Sequence, residues 1–303
     1  MTLRTILLVS AASFAATSCS SLPSQAPASR LTPITSHAGG VETDAAACRD
    51  QMAQSAAAPG AGLDSSSLGI LSWNVKKGQH ANWRHDLARL AADKHLILIQ
   101  EASLGSGLLD ALEPTAHWAF APGYRARAGA TGVMTLSTTP PLTQCNLQVM
   151  EPWLRTPKAT SITEFGLTGT DDTLVVANIH AVNFSVGVAE FRQQIEALRT
   201  VLADHAGPII LSGDFNTWRG ARLAILDAVT SDLGLAPIDF ADDHRTLVFG
   251  LPLDHLFVRG LSVQSSATQP VRTSDHNPLA AEFAVIHPIR TADEVSLPEE
   301  LAL

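Results

Sequence analysis

The sequence predicts an α/β fold in which two sheets pack face to face with helices outside. Short apolar runs typical of buried strands alternate with segments whose apolar residues recur at helical spacing. Pairs of such strands are mixed with interspersed helices, and that mixture suggests sheet packed on sheet. The chain has 303 residues, 46% of them hydrophobic, which is enough for one large domain with a sizeable core or for two small ones.

The elements follow in order along the chain. The predicted strands cover residues 68–75, 95–101, 132–137, 161–167, 173–180, 208–216, 254–260, 261–267 and 278–285. Trp83, Leu87 and Leu90 have helical spacing and predict a helix over residues 81–93. The segment 186–205 places its apolar residues on one face, and residues 219–233 are predicted as a third helix. The folded domain is therefore assigned to residues 65–286.

The N-terminus has the pattern of a secretory signal over residues 1–18, with one cation, an apolar stretch and small residues before Cys19. The ending also resembles a bacterial lipobox, although Ala16 stands where Leu is usual. We expect an exported lipoprotein of the cell envelope that faces the periplasm and attaches to the membrane through Cys19. Ser20 suggests the outer rather than the inner membrane. Ordinary secretion and a retained membrane anchor are the alternatives.

Residues 19–64 are rich in Ser, Ala, Pro and Gly and predict a flexible tether after the lipidated cysteine. A short helix docked through Cys48 is one interpretation of its segment AAACRDQMAQ. A disulfide between Cys48 and Cys145 would pin this segment to the domain, and two buried free thiols are the alternative. Residues 287–303 are assigned to an acidic tail.

The charge balance is acidic, with 29 Asp and Glu against 20 Lys and Arg and a net charge of −9. This argues against broad electrostatic capture of polyanions. It does not exclude a nuclease, because a bound divalent cation changes the local charge of a site.

Metal- and phosphate-competent side chains stand at the ends of the predicted strands. They are Asn74, Glu101, Asn178, His180, Asp214, Asn216, Asp254, Asp275 and His276. Taken singly, each has a structural explanation as a turn residue or a hydrogen-bonded core histidine. Strand ends from distant parts of a sequence meet at one edge of a sheet, so the set together predicts a site there.

The motifs SWNV, IQE, NIH, GDFN, LDHLF and SDHNPL, in this order, resemble the endonuclease/exonuclease/phosphatase family, whose fold is that of pancreatic deoxyribonuclease. NIHAVNFSVGV, ATGVMTLS and GDFNTW are similar to its YafD-type branch of bacterial proteins, for which the family supplies no settled substrate. The resemblance covers residues 68–284. It implies a four-layer α-β-β-α sandwich with two mainly antiparallel sheets.

The resemblance also implies a metal site. Glu101 matches the family's principal ligand, with Asn74 beside it, and Asp275 completes the cation site or lies just behind it. Carboxylate and amide oxygens suit Mg²⁺ or Mn²⁺ better than Zn²⁺.

Catalytic roles follow from the same resemblance. Asp254 holds His276, which assists water or stabilises the transition state, and Asp214 orients or deprotonates the attacking water. His180 lies near the leaving group. Asn216 donates to a phosphoryl oxygen, and Asn178 supports the same phosphate.

The sequence therefore predicts a metal-dependent phosphoric ester hydrolase that cleaves phosphodiester bonds. A nuclease is the leading expectation. A hydrolase of phospholipids or of other small phosphodiesters or phosphomonoesters is the alternative, and a catalytically dead, lipid-anchored binding module is a third interpretation. The sequence indicates no protein partner, and we expect a monomer.

Three further residues have ambiguous roles in the sequence. Arg155 and Lys158 are interpreted as a solvated charge pair, and contact with phosphate is the alternative. His255 is interpreted as structural because its strand position faces away from Asp254.

Overall fold

The computed structural model describes residues 32–33, 44–55, 62–112, 117–126 and 129–286. The predicted signal sequence, Cys19 and the predicted acidic tail lie outside the described residues. No helix within the described residues is long and apolar enough to cross a membrane.

Fifteen strands and four α-helices make up the described fold. The strands are β1 (Thr32–Pro33), β2 (Leu68–Asn74), β3 (Leu96–Ser103), β4 (His117–Ala126), β5 (Gly129–Ser137), β6 (Thr143–Met150), β7 (Pro157–Gly166), β8 (Thr173–His180), β9 (Ile209–Asp214), β10 (Ala236–Pro237), β11 (Leu247–Val248), β12 (Leu251–Pro252), β13 (Asp254–Arg259), β14 (Leu261–Thr268) and β15 (Leu279–Val285). The helices are α1 (Ala45–Met52), α2 (Trp83–Ala91), α3 (Ala189–Leu202) and α4 (Gly220–Asp232).

The strands form two large sheets and one hairpin. The first sheet has the order β1-β4-β5-β3-β2-β15-β14, the second has the order β10-β13-β9-β8-β7-β6, and β11 pairs with β12. Neighbours are antiparallel except for β1 with β4, β2 with β3, and β8 with β9. This confirms the predicted pair of mainly antiparallel sheets.

Four layers result from the way the apolar faces are covered. The inner faces of the two sheets meet in one core that includes Leu68, Phe165 and Phe283. On the outer face of the first sheet, α2 buries Trp83 and Leu87. On the outer face of the second sheet, α1, α3 and α4 cover another core. The predicted α-β-β-α sandwich is therefore confirmed.

Part of the predicted tether is packed on this sandwich. Cys48 in α1 is disulfide-bonded to Cys145 in β6, so the disulfide is confirmed and the alternative of two free thiols is wrong. Met52 is buried against the second sheet, and Leu63 is buried beside its bridge partner Leu167. The folded unit therefore includes residues 44–55 and 62–64 as well as the assigned domain.

Candidate active site

Strand register brings the central polar residues together at one edge of the second sheet. In the parallel pair of β8 and β9, His180 lies opposite Asp214. In the antiparallel pair of β9 and β13, Asp254 also lies opposite Asp214. Asp214 thus has a predicted site residue on each side, as expected from the strand ends.

Asp254 and His276 form a hydrogen-bonded pair beside Asp214. The Nδ1 of His276 lies 2.7 Å from Oδ2 of Asp254, and its Nε2 lies 3.8 Å from Oδ2 of Asp214. Burial alone would lower the pKa of His276, but the charges of Asp254 and Asp214 raise it to about 10. Trp73 donates from Nε1 to the backbone oxygen of His276 over 2.8 Å and fixes that segment. The ring is therefore a fixed imidazolium at neutral pH.

Asp214 is almost fully buried, and its environment favours a titration near neutrality. Burial raises the pKa of Asp214 to about 6, against the opposing charge of His276. Asn74 donates from Nδ2 to its Oδ2 over 3.0 Å, and the backbone N–H of Asn216 donates to its Oδ1 over 3.0 Å. These two bonds fix both carboxylate oxygens. A carboxylate with a pKa near 6 is suited to accept a proton at physiological pH.

His180 lies on the other side of Asp214 and is neutral at pH 7, whereas His276 is positively charged. Its Nε2 is 3.5 Å from Oδ2 of Asp214 and 4.0 Å from Oε1 of Glu101. Burial, and then the charge of Lys158, lower the pKa of His180 well below its ordinary value. The neutral Nε2 accepts a hydrogen bond from Nζ of Lys158 over 3.0 Å.

Lys158 therefore belongs to the site, and its interpretation as half of a solvated charge pair with Arg155 is wrong. Lys158 stands in β7, which neighbours β8 in the sheet, and its side chain reaches His180 at the end of β8. Arg155 lies in the preceding loop and is exposed. The two cations are close in sequence, which suggested a surface pair. Because β7 begins at Pro157, Arg155 lies in the loop before the strand and Lys158 lies within the strand.

Glu101 is directed into the site by an irregularity in β3. The β3–β5 register shifts between Ile99 and Ala102, as in a β-bulge, and Glu101 has a φ of 51°. Positive φ is unfavourable for a residue with a side chain, and such strain is concentrated at functional sites. Lys77, whose own φ is 60°, places Nζ 2.7 Å from Oε2 of Glu101. The positive φ angles of Glu101 and Lys77 bring this carboxylate and its ammonium partner together near the strand ends that carry the site.

The donor atoms around Glu101 fit a hard divalent cation. Oε2 of Glu101 is buried, and its close partner is the ammonium of Lys77, 2.7 Å away. Asn74 contributes an amide oxygen that accepts from the backbone N–H of Lys76 over 3.0 Å. Carboxylate and amide oxygens of this kind suit Mg²⁺ or Mn²⁺. Glu101 and Asn74 are thus the residues that would hold the predicted metal.

Asp275, predicted to complete the cation site or to lie just behind it, forms an ion pair with Lys76. Its Oδ2 lies 2.8 Å from Nζ of Lys76, and its side chain is half-exposed. Burial opposes the change, but the hydrogen bond from Lys76 lowers the pKa of Asp275. The residue therefore forms a surface ion pair at the rim of the site.

A second group of ligand atoms within the described residues could hold an ion. One atom from each of Asp214, Asp254 and His276 lies within 4.8 Å of the others. Nδ1 of His276 and Oδ2 of Asp254 are already hydrogen-bonded to each other over 2.7 Å. We therefore assign this group to proton handling and the Glu101 side to the cation.

The two predicted phosphate-binding amides are both turned inward. Asn178 is fully buried, donates from Nδ2 to the backbone oxygen of Met134 over 3.0 Å, and accepts from Gln100 over 2.8 Å. It ties the two sheets together beneath the site, and its predicted support of the phosphate stays a prediction. Asn216 donates from Nδ2 to the backbone oxygen of Ala181 over 3.1 Å, and its role as a phosphate donor stays a prediction.

Arg222 supports the site from behind and was missed in the sequence. Its fully buried guanidinium donates to the backbone oxygens of Val182 (2.7 Å), Asn216 (3.0 Å) and Asn183 (2.7 Å). Burial lowers the pKa of Arg222 to about 10. The residue joins the loops that follow β8 and β9. Its position three residues before the buried Ile225 in α4 was the available signal.

His255 is structural, as predicted. It is buried, packs against the rings of Phe215 and Phe257, and forms a 2.7 Å hydrogen bond with Oγ1 of Thr217. Burial lowers the pKa of His255 to about 4, so the ring is neutral.

This combination of paired acids and histidines on a two-sheet sandwich defines a phosphoesterase. The Endonuclease/Exonuclease/phosphatase family model matches residues 71–276, and the chain belongs to this family. A UPF0294 protein of Vibrio parahaemolyticus is 36% identical over 225 residues, covering 73% of this chain and 79% of the relative. A UPF0294 protein of Erwinia tasmaniensis is 38% identical over 226 residues, covering 74% and 83%. These relatives confirm the YafD-type branch.

Solved structures show the same fold at low sequence identity. The human Nocturnin catalytic domain with bound sulfate has a TM-score of 0.56 at 16% identity, covering 74% of this chain and 96% of that one. Danio rerio TDP2 complexed with single-strand DNA product has a TM-score of 0.55 at 15% identity, covering 73% and 100%. The mannosyl-6-phosphatase Bt3783 of Bacteroides thetaiotaomicron has a TM-score of 0.53 at 16% identity, covering 72% and 99%.

Proposed function

We propose that this protein is a divalent-metal-dependent hydrolase of phosphodiester bonds in the cell envelope. The observation that carries the proposal is the Asp254–His276 pair directed at Asp214, with His180 on the other side of the same carboxylate. The group combines a proton acceptor, a fixed imidazolium and a neutral imidazole. Hydrolysis of a phosphodiester needs all three functions, because water is a poor nucleophile and an alkoxide is a poor leaving group.

The charge state of each residue determines whether it accepts or donates a proton in the reaction. Asp214, with a pKa of about 6, is ionised at neutral pH and accepts the proton of the attacking water. His276 donates an N–H to a phosphoryl oxygen as negative charge develops there, while Asp254 holds the ring in one orientation. His180 and Lys158 together present a positive proton donor at the leaving-group side.

A bound Mg²⁺ or Mn²⁺ would neutralise charge on the phosphate and act as a Lewis acid. Glu101 and Asn74 would hold it. Lys77 contacts the same carboxylate, so it stabilises Glu101 when no cation is bound there.

Nucleic acid is our leading substrate class, as the sequence predicts. The catalytic groups act on the phosphate alone, and family folds carry different substrates, as the DNA-bound TDP2 and the mannosyl-6-phosphatase illustrate. Hydrolysis of a phospholipid or another small phosphodiester is the second candidate. The exposed side chains of Trp153, Phe184 and Phe249, which lie on segments next to the site, favour it.

Glu101→Gln tests the metal-dependent reaction. The substitution removes the charge from the principal ligand, so we expect kcat to fall on the order of 10²–10³, as for the loss of one group that stabilises transition-state charge. The assay compares bis-nitrophenyl phosphate, plasmid DNA, RNA and phospholipid with added Mg²⁺ or Mn²⁺. Glu196→Gln, at a partly exposed position of α3 where the carboxylate pairs with Arg199, is the matched control.

Chelation is the second arm of the same test. EDTA should abolish turnover by the unaltered protein, and Mg²⁺ or Mn²⁺ should restore it. Undiminished activity in a thoroughly chelated sample would contradict the proposal. Equal unfolding midpoints for Glu101→Gln and the unaltered chain would show that the fold is intact.

A further inference from the structure

An exposed apolar surface borders the candidate active site on the side of the second sheet. We call it the apolar rim; its residues are Trp153, Leu154, Phe184, Val186, Leu247 and Phe249. They lie in the β6–β7 loop, in the segment after β8 and in the β11–β12 hairpin. Most of the exposed large hydrophobic side chains of the described residues are at this end of the molecule. Contiguous exposed apolar surface usually marks a contact site.

The segments of the rim are bonded to one another. Glu151 accepts hydrogen bonds at Oε1 from the backbone N–H groups of Asn183 (2.8 Å) and Phe184 (2.7 Å), which joins the first two segments. Trp218 donates from Nε1 to Oδ1 of Asn183 over 2.8 Å, and its ring lies 6.4 Å from that of Phe249. The apolar side chains therefore belong to one continuous surface.

Phe249 is exposed at the tip of its hairpin despite an unfavourable backbone. Its side chain is 86% exposed, and its φ is 53°, next to Gly250 with a φ of 80°. Two-residue turns with positive φ at both positions favour Asn-Gly, because a bulky side chain is strained there. An aromatic ring held outward at such a position makes no core contact to offset the strain. Backbone strain at an exposed aromatic residue suggests that the ring serves to contact another molecule.

The charges on the same segments are positive, although the whole chain has a net charge of −9. The only acidic residue of residues 150–155, 183–186, 218–219 and 247–250 is Glu151, which is fully buried and hydrogen-bonded inward. The positively charged residues of these four segments are Arg155 and Arg219. An apolar surface bordered by cations is complementary to the acyl region and anionic headgroups of a membrane.

We propose that the apolar rim docks the mouth of the active site on the surface of a phospholipid bilayer. Leu154, Val186 and Leu247 are aliphatic and cannot stack on bases, so they do not suit a nucleic-acid platform, which combines aromatic rings with a cationic groove. They do suit insertion among acyl chains. The docking does not depend on turnover or on which of the two substrate classes is cleaved, and it adds a membrane-binding surface to the proposed function.

Quenching of Trp153 fluorescence by brominated lipid tests the docking. The full chain is mixed with phosphatidylcholine–phosphatidylglycerol vesicles that carry bromine on the acyl chains. The signal of Trp153 is the difference between the unaltered chain and W153F. We expect this signal to be quenched, because bromine quenches only by close approach within the acyl region.

A double variant with Phe249→Ser and Val186→Ser measures the contribution of the rim. We expect its vesicle affinity to fall by about tenfold or more, because two apolar side chains no longer leave water. Val263→Ser is the matched control, since Val263 is exposed on β14 away from the mouth. All variants share the same N-terminus, so an anchor affects them equally.

Three results would overturn the proposal. The first is unquenched Trp153 on vesicles that bind the chain. The second is quenching of Trp153 by a single-stranded oligonucleotide and not by brominated vesicles, which would assign the rim to nucleic acid. The third is a dimer that dissociates in the double variant, which would assign the rim to a second copy of the chain.

Discussion

At the scale of single residues, Asp254 and His276 act as one catalytic unit because their 2.7 Å bond fixes the ring and its charge. We expect His276→Ala to lower kcat by about 10²–10⁴, the range for a positioned acid or base. Asp254→Asn should lose much of the same factor, since the ring then loses its orientation. The double variant should be little worse than His276→Ala alone, because residues that act as a unit are non-additive.

Measuring kcat and the urea unfolding midpoint of the unaltered chain, the two single variants and the double variant distinguishes a catalytic role of the pair from a purely structural one. If Asp254 only caps its strand and His276 only fills the core, stability falls while turnover per folded molecule changes little. Strictly additive losses in ln kcat would remove the coupled pair from the mechanism.

His276 also predicts how stability depends on pH. Its pKa rises from 6.5 unfolded to about 10 in the folded protein, so the charged ring stabilises the fold fully below about pH 6.5. This contribution is lost as the pH rises through about 10. Asp214, with a pKa of about 6, is already ionised across most of that window. We expect the free energy of unfolding of the unaltered chain to fall toward that of His276→Asn between pH 7 and pH 10.

Urea unfolding of both proteins in metal-free buffer at several pH values measures this convergence. Parallel curves across the window would mean that His276 does not carry the raised pKa.

At the scale of elements, the disulfide holds α1 on the second sheet. Cys48 and Cys145 are 97 residues apart, and closure of a long loop restricts the unfolded chain. We expect Cys48→Ser to lower the free energy of unfolding by about 2–4 kcal/mol. The measurement is urea unfolding with and without dithiothreitol. The reductant should destabilise the unaltered chain and leave Cys48→Ser unchanged; equal sensitivity in both would contradict the role of the bond.

Strands with regular apolar patterns were predictable; two long irregular strands and the four two-residue strands were not. The segment 173–180 was predicted with the bounds that the structure shows. β4 was missed because Pro122 and Gly123 interrupt it, where the register with β5 shifts. β6 was missed because its buried positions include Gln144 and Asn146, which hydrogen-bond to each other over 3.0 Å. Local pattern does not reveal a polar residue whose partner is supplied by tertiary structure.

The same limit applies to the site. His180, Asp214, Asp254 and His276 were grouped correctly because each ends or adjoins an apolar strand. Lys158 is 22 residues from His180 in sequence, and only the register of β7 with β8 brings the two side chains together. The bulge that aims Glu101, and the contact of Lys77 with it, likewise have no local sequence signal.

At the scale of the whole molecule, the proposed lipid anchor and the apolar rim are at different places. β1 pairs with the start of β4, at His117 and Trp118, which is the end of the first sheet away from Glu101. Twelve residues lie between Cys19 and Thr32, which makes thirteen residue steps. Such a segment spans about 43–47 Å when extended, longer than the roughly 26 Å of an eight-residue strand. A lipid on Cys19 therefore leaves the domain free to turn its rim toward the same membrane.

Cys19→Ala tests the proposed location. A lipid-modified cysteine is required for processing at this site, so we expect the variant to be misprocessed or released from the membrane fraction. Globomycin should make the unaltered chain accumulate as its precursor. Cell fractionation and immunoblotting provide the measurement, and Ser18→Ala is the matched control because it keeps the cysteine and a small residue beside it. With Ser20 in place, the lipidated form should sort to the outer membrane. If processing and fractionation of Cys19→Ala are unchanged, ordinary secretion or cytoplasmic retention describes the protein better, and the rim would then have to bind a bilayer without an anchor.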